Sequence, residues 1–307
     1  FTGSTQLSEI STAVGQAAGD TPFGNYALFV GIVLMIAGFG FKLSAAPFQM
    51  WVPDVYEGGP TPVVAFLSVA SKAAAFAVVI RVFFTGFFDV ALDWSILIAG
   101  IAAASMVIGN LVAISQSNIR RLFGYSTISH AGYILVGVAA GVKSGDGIFK
   151  APEFAAIGPD SVLFYLVAYA AANLTAFFAI TMISSKISSD QISDYAGLST
   201  RNPVLAVVLA LSLLALVGVP PTGIFIAKLY IFTAAVDSGL IWLAVLGVIN
   251  SAVSAYYYVR IIRVMFTHPA TSDEKITGSP APWLALGIAG GAMVFMGIAP
   301  GFLMEAA

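Results

Sequence analysis

Cysteine is absent from the 307 residues, and histidine occurs only as His130 and His268. The first absence excludes disulfides, thiolate nucleophiles and iron–sulfur ligation. The second leaves no histidine pair at metal-ligand spacing. Charge is scarce too. Asp, Glu, Lys and Arg make up 9% of the residues and hydrophobic residues 59%, where soluble domains carry roughly 25% and 45–50%. With a mean hydropathy of +0.95, a soluble fold of this size could not cover its surface. The chain reads as a polytopic membrane protein with the lipid bilayer as its solvent. The net charge of -2 carries no basic excess that would attract nucleic acid or an anionic surface.

Apolar stretches of about 20 residues, enough to cross roughly 30 Å of hydrocarbon, follow one another along the sequence. They predict helices near 27–56 (interrupted), 61–84, 94–116, 121–141, 161–184, 203–236 (interrupted), 239–266 and 282–303. A transmembrane β-barrel would need alternating polarity, which runs such as Ala99-Gly100-Ile101-Ala102-Ala103-Ala104 do not have. The fold class is therefore all-α, with a bundle over 27–307 and a polar external segment at 1–26. The sequence starts at Phe1 with no basic n-region, which argues against a signal peptide and for a bundle incomplete at its N-terminus.

Basic residues fix the expected direction. Arg120, Arg121, Lys186, Arg201, Arg260, Arg263 and Lys275 lie in or beside the loops after the first, third, fifth and seventh helices. The opposite loops hold Lys143 and Lys150, with Arg81 near a helix end. The first set is expected in the cytoplasm and both chain ends outside.

Lysines inside the apolar segments carry most of the functional information. Lys72 lies near the middle of its helix, roughly 16 Å from either end at 1.5 Å per residue, beyond the reach of a snorkelling side chain. Placing it there costs about 2.5–3.5 kcal/mol on insertion scales. Such a lysine should face the bundle interior, a partner or a wet cavity, as a proton or ion handler or as half of an interhelical ion pair. Lys228 follows Gly218-Val219-Pro220-Pro221-Thr222-Gly223, where two prolines remove two backbone donors and the helix should open. Free carbonyls at membrane depth survive only where buried in protein or lining a wet cavity; a proline kink in a packed helix is the plainer alternative. Lys42 has two readings as well. It could snorkel at a helix end with Trp51 at the interface, or lie beside a break at Pro47 in a longer segment. Gly/Pro-interrupted segments at corresponding places in two repeats point to a transport site, and the interrupted segments here are the first and the sixth.

Polar side chains recur at helical spacing. Ser126, Ser129, His130 and Tyr133 share one face; Tyr165, Tyr169 and Asn173 share another; Asn250, Ser254 and Tyr257 a third. Polar stripes commonly glue membrane helices together, but an imidazole also suits a proton relay. The fifteen acidic residues all fall in loops, tails or near helix ends, with Asp54 and Glu57 the deepest. The three lysines thus lack an obvious internal carboxylate.

These residues carry a resemblance. Phe39-Gly40-Phe41-Lys42-Leu43-Ser44, Pro47-Phe48-Gln49-Met50-Trp51-Val52-Pro53-Asp54-Val55-Tyr56-Glu57-Gly58, Thr61-Pro62-Val63, Ser71-Lys72, Asn118-Ile119-Arg120-Arg121-Leu122, Tyr125 to Tyr133 and Gly218 to Lys228 resemble the antiporter-like N subunits of proton-pumping NADH-quinone oxidoreductases, respiratory complex I. The resemblance runs from about residue 27 to 303. It implies an antiporter-like helix bundle of two inverted repeats, each with one discontinuous helix, of which this sequence resembles the last eight helices. It further implies that Lys42, Lys72 and Lys228 move protons, and His130 joins them as a candidate relay through the chemistry of its imidazole. A glutamate on an earlier helix would pair with Lys42.

The implied cofactors are none in this chain, with quinone and NADH or another donor used by the whole complex. The implied partners are other membrane subunits, including sister antiporter-like subunits, in a bacterial inner membrane. Two departures stand out. Gln49 occupies a place where such subunits often have histidine, and Arg120 one where they often have lysine. Neither replacement can release a proton. A stand-alone cation/proton antiporter and a purely structural scaffold are the rival readings.

Overall fold

The computed structural model describes residues 2–17, 26–144, 152–270 and 280–301. Lys150, Lys275, residues 18–25 of the expected external segment and residues 302–303 of the last expected helix lie outside the described residues. The helices are α1 (Leu7–Ala17), α2 (Tyr26–Leu43), α3 (Trp51–Gly58), α4 (Thr61–Phe66), α5 (Lys72–Gly86), α6 (Ala91–Ile114), α7 (Ile119–Ala140), α8 (Ile157–Ile187), α9 (Leu198–Arg201), α10 (Pro203–Val217), α11 (Gly223–Asp237), α12 (Ile241–Thr267) and α13 (Pro280–Ile298). A π-helical turn, Leu67–Ser71, joins α4 to α5 into one span.

Among the described residues seven helices are long and apolar enough to cross a membrane. Together with the α10–α11 pair, split across a break, they form a multi-pass membrane protein. Its burial runs opposite to a soluble bundle. The least hydropathic span, α7, is buried over 94% of its most apolar 18 residues, while the more apolar Ala281–Ile298 of α13 is buried over only 22%. With lipid outside, polar side chains gain by facing inward, so the Ser/His/Tyr-rich helix takes the centre and α6, α8, α11 and α12 pack around it. The α6–α7 contact is especially close. A Cβ on Gly132 would stand 2.8 Å from the Ala102 carbonyl oxygen, and one on Gly109 would stand 2.6 Å from the Ser129 nitrogen. Only glycine admits that approach.

The two interrupted segments are broken. The first stops at Leu43 and resumes at Trp51; the second stops at Val217 and resumes at Gly223. Proline accounts for both gaps, through Pro47 in one and Pro220-Pro221 in the other.

Three features lie outside the sequence reading. The segment expected to be external contains α1, which lies along α5 and buries Val14 completely. The π turn precedes Lys72. A two-stranded hairpin pairs Val142–Ser144 with Pro152–Phe154.

One end of the bundle gathers basic side chains. Arg120 pairs with Asp190 at 2.5 Å and donates to the Gly59 carbonyl at 2.6 Å; Arg121 reaches Asp54 at 2.8 Å and Glu57 at 2.7 Å. Arg260 donates to the Ile114 carbonyl at 2.8 Å and to that of Gln116, where a cation suits the C-terminal end of α6. Lys143 pairs with Asp237 at the opposite end of α7.

Candidate functional site

Lys72 begins α5, directly after the π turn, and is 3% exposed. Its ammonium donates to the Thr127 carbonyl of α7 at 2.7 Å and lies 5.6 Å from the centre of the Tyr169 ring. The π turn is held from outside: Asn173 of α8 donates its amide to Ser68 Oγ at 2.6 Å, and Ser68 donates to the Ala65 carbonyl at 2.7 Å. Single π turns commonly mark functional positions in helices.

From Thr127 the polar contacts continue in two directions. Its hydroxyl is 2.6 Å from Tyr169 Oη and accepts a bond from Tyr56 Oη at 3.1 Å. The Tyr169 ring packs on His130 with centroids 4.9 Å apart, and His130 Nδ1 lies 2.8 Å from Tyr165 Oη. His130 is 1% exposed and meets Tyr133 edge to face with ring centroids 5.8 Å apart.

Tyr133 in turn lies under Lys228, whose ammonium is 4.4 Å from the ring centre. A cation over an aromatic face is attracted by the ring quadrupole, the more so when desolvated. Lys228 is 5% exposed and donates to the Val217 carbonyl at 2.8 Å. That carbonyl is one freed by the break, so the ammonium caps the C-terminal end of α10, where the helix dipole is negative. Gly218 turns the chain there with φ of +87°, and a Cβ on it would stand 3.1 Å from Lys228 Cδ. The lysine and the opened backbone serve one another.

Lys42 does not join this line. It ends α2, exposed on a side of the bundle that no other described residue covers, with no partner among the described residues. Beside it, Trp51 Nε1 donates to the Phe41 carbonyl at 3.1 Å, and Ser105 Oγ of α6 accepts the Ala46 N–H at 2.9 Å. Gln49 is buried with Oε1 unpartnered.

Lys72, His130 and Lys228 thus come together through Thr127, Tyr169, Tyr165 and Tyr133. From the predicted stripes, Asn173 reaches the π turn, and Asn250 and Tyr257 meet Asn110 of α6 at 3.2 and 2.9 Å. Ser129 and Ser254 donate to carbonyls of their own helices, Ser126 at 2.8 Å and Ser251 at 2.7 Å. Sequence reasoning missed Tyr56, Thr127, Ser68 and Asn110. Thr127 and Tyr56 offered no periodic signal, whereas a lone Asn inside the apolar run of α6 is itself one.

Among the described residues no Asp or Glu is buried, and no three metal-ligating side chains gather. Asp54 and Glu57, the deepest acids by sequence, sit at the bundle end with Arg121. Along the line from Lys72 to Lys228 the charges available are ammonium and imidazole.

Residues 1–254 match the model of the NADH:quinone oxidoreductase/Mrp antiporter transmembrane family. The chain belongs to this family. Members similar to it include the NADH-quinone oxidoreductase subunit N of Dehalococcoides mccartyi, 44% identical over 309 residues covering 99% of this chain and 62% of the relative. The subunit N of Desulforamulus reducens is 42% identical over 306 residues, covering 100% and 60%. The chain therefore spans about three fifths of the length of the curated relatives it matches. Among solved structures, a chain of respiratory complex I from Thermus thermophilus with bound aureothin superposes with a TM-score of 0.76 at 30% identity, covering 97% of this chain and 66% of that one. A chain of the Mrp complex from Dietzia superposes at 0.80 with 21% identity, covering 95% and 60%, a likeness of fold alone.

Proposed function

We propose that the chain is the greater part of a proton-translocating subunit, of the subunit N kind, in a bacterial NADH-quinone oxidoreductase. The observation that carries this is the buried line Lys72–Thr127–Tyr169–His130–Tyr133–Lys228. It contains three titratable nitrogens and no carboxylate, in a helix bundle whose exterior is lipid-facing. Such an arrangement loads and releases protons without binding a metal cation, which disfavours a stand-alone cation antiporter. Ammonium groups in a poorly solvated interior repel one another, so protonating one lysine disfavours protonating the next. Coupling between successive sites follows from repulsion alone.

In this reading the redox chemistry, with NADH or another donor and a quinone, takes place elsewhere in the complex. Lys42 works with a carboxylate that another part of the protein or a sister subunit supplies. The end bearing Arg120, Arg121 and Arg260 faces the cytoplasm and the chain ends face the periplasm. Subunit N relatives of 44 and 42% identity support the complex.

The test is Lys72→Met in the assembled complex, reconstituted in vesicles. Proton pumping and coupled quinone reduction are expected to fall at least fivefold. Lys72→Arg is expected to impair both, because guanidinium keeps its proton. Normal pumping with methionine at 72 overturns the relay. Purification of a small transporter complex with no quinone reductase activity would favour the antiporter reading instead.

A further inference from the structure

The amides of Asn110 and Asn250, on α6 and α12, are fixed in orientation by one backbone group. The Leu246 carbonyl accepts at 3.0 Å from the Asn250 side chain, so Nδ2 must face it and Oδ1 must face Asn110. Asn110 therefore turns its Nδ2 to that oxygen, 3.2 Å away, and to Tyr133 Oη at 3.4 Å. Its own Oδ1 is left to accept the Tyr257 hydroxyl at 2.9 Å. Donor and acceptor roles around these amides thus follow from the hydrogen-bonding inventory and one carbonyl. Asn110 is fully buried and Asn250 is 4% exposed.

The consequence concerns the two tyrosines on either side. Tyr133 accepts from Asn110 and, at 3.4 Å, from Ser251 Oγ, so its own proton points away from Asn110. Lys228 lies over its ring. Tyr257 gives its proton to Asn110 and stacks at 4.5 Å on Tyr258, which contacts Ser126, a turn nearer the arginine-rich end of α7. A carboxamide accepts a hydrogen bond but does not pass a proton from its oxygen to its nitrogen under ordinary conditions. We propose that Asn110, oriented by Asn250, is a proton barrier. It ties Tyr133, whose ring lies under Lys228, to the polar groups of α12 while denying a continuous path between the Tyr133 and Tyr257 hydroxyls. This rests on the proton-moving reading of Lys228, for which it supplies the insulation that any pump needs between its loading and release sides.

The test is passive proton entry into vesicles, measured with an internal pH dye, a potassium-diffusion potential and no redox substrate. The complex carrying the chain is purified and reconstituted. Asn110→Asp places a carboxyl at the junction, which can take a proton on one oxygen and release its own from the other. Proton entry is expected to rise at least tenfold over the unsubstituted complex. Adding Tyr257→Phe removes the donor and should restore tightness. Asn110→Leu breaks the same hydrogen bonds without a transferable proton and should stay tight. Asn110→Ser, neutral and small, whose hydroxyl both accepts and donates, carries the same expectation as the aspartate should that variant not assemble.

Three results overturn the barrier: an assembled Asn110→Asp complex as tight as the original, equal leakage from the leucine variant, or leakage that survives Tyr257→Phe. Because no turnover is involved, these outcomes are independent of whether Lys72→Met abolishes pumping.

Discussion

At 218–222 the carbonyl freed by the break, that of Val217, is answered from inside the chain by Lys228 at 2.8 Å. At 44–50 the backbone instead draws on a neighbouring helix, where Ser105 Oγ takes the Ala46 N–H at 2.9 Å, and the lysine of that half, Lys42, stays exposed. Both gaps contain proline and a residue with positive φ, Gly218 at +87° and Ser44 at +66°. They differ in what the lysine does. In the second half the ammonium is part of the cap that makes the break tolerable, so its charge and the backbone geometry are one system. In the first half the break is complete without the lysine. A charge left outside the folded unit has to find its partner on whatever covers that face.

This contrast is broken most directly by removing each ammonium in turn. Lys228→Met takes away the cation over Tyr133 and leaves the half-buried Val217 carbonyl without that donor, at a cost of about 1 kcal/mol. The yield of the folded chain should fall and its thermal midpoint drop. In complex that does assemble, pumping should fall severalfold. Lys42→Met removes no hydrogen bond or ion pair among the described residues and should leave yield and thermal midpoint as they were, whatever it does to turnover. Equal destabilisation by both substitutions, measured by thermal unfolding in detergent, would erase the difference between the breaks.

A smaller effect is expected from the turn itself. Gly218→Ala puts a Cβ at a left-handed φ and 3.1 Å from Lys228 Cδ. Left-handed backbone costs a non-glycine residue on the order of 1–2 kcal/mol, and the lysine stem must shift. Reduced thermal stability together with slower pumping per assembled complex is expected. Ser44 already carries a side chain at positive φ, so Ser44→Gly should relax strain and hold or slightly raise stability. The thermal midpoint should fall for Gly218→Ala and should not fall for Ser44→Gly.

How much of this was legible in the sequence depends on whether a feature is set by a segment's own residues. The helices, both breaks and the depth of Lys72 and Lys228 follow from local composition: apolar runs of membrane length, prolines without donors, and lysines too far from either end to snorkel. His130 and Tyr169 were visible as stripes, although spacing alone could not say that the two rings face each other across α7 and α8. The π turn before Lys72 was not visible, because Leu67–Ser71 is an ordinary apolar stretch whose wide turn is held by Asn173, 105 residues away in sequence. The helix Leu7–Ala17 was missed for a related reason. Its Ser, Thr, Gly and Gln residues read as polar, and only docking on α5 turns the face carrying Val14 into a buried stripe. Lys42 shows the limit from the other side. Its motif marks it, yet its surroundings among the described residues give it no partner.

The smallest effect tests the first break, where the supporting group is a neutral hydroxyl. Ser105 Oγ accepts from the Ala46 N–H and donates to the Ile101 carbonyl of its own helix at 2.7 Å. Ser105→Ala removes the acceptor and leaves a buried N–H without it, since Ala46 is 1% exposed. An orphaned buried donor costs about 1–3 kcal/mol; the lost donation to Ile101 costs little, because that carbonyl keeps its helical bond. The expected result is a modest drop in thermal midpoint and faster amide exchange at residues 44–50, with residues 218–222 unchanged. Pumping should be little affected, because no titratable group of the Lys72–Lys228 line touches Ser105. Amide exchange that quickened equally at both gaps would mean that the two breaks share one support, and that Lys228 is not what holds the second.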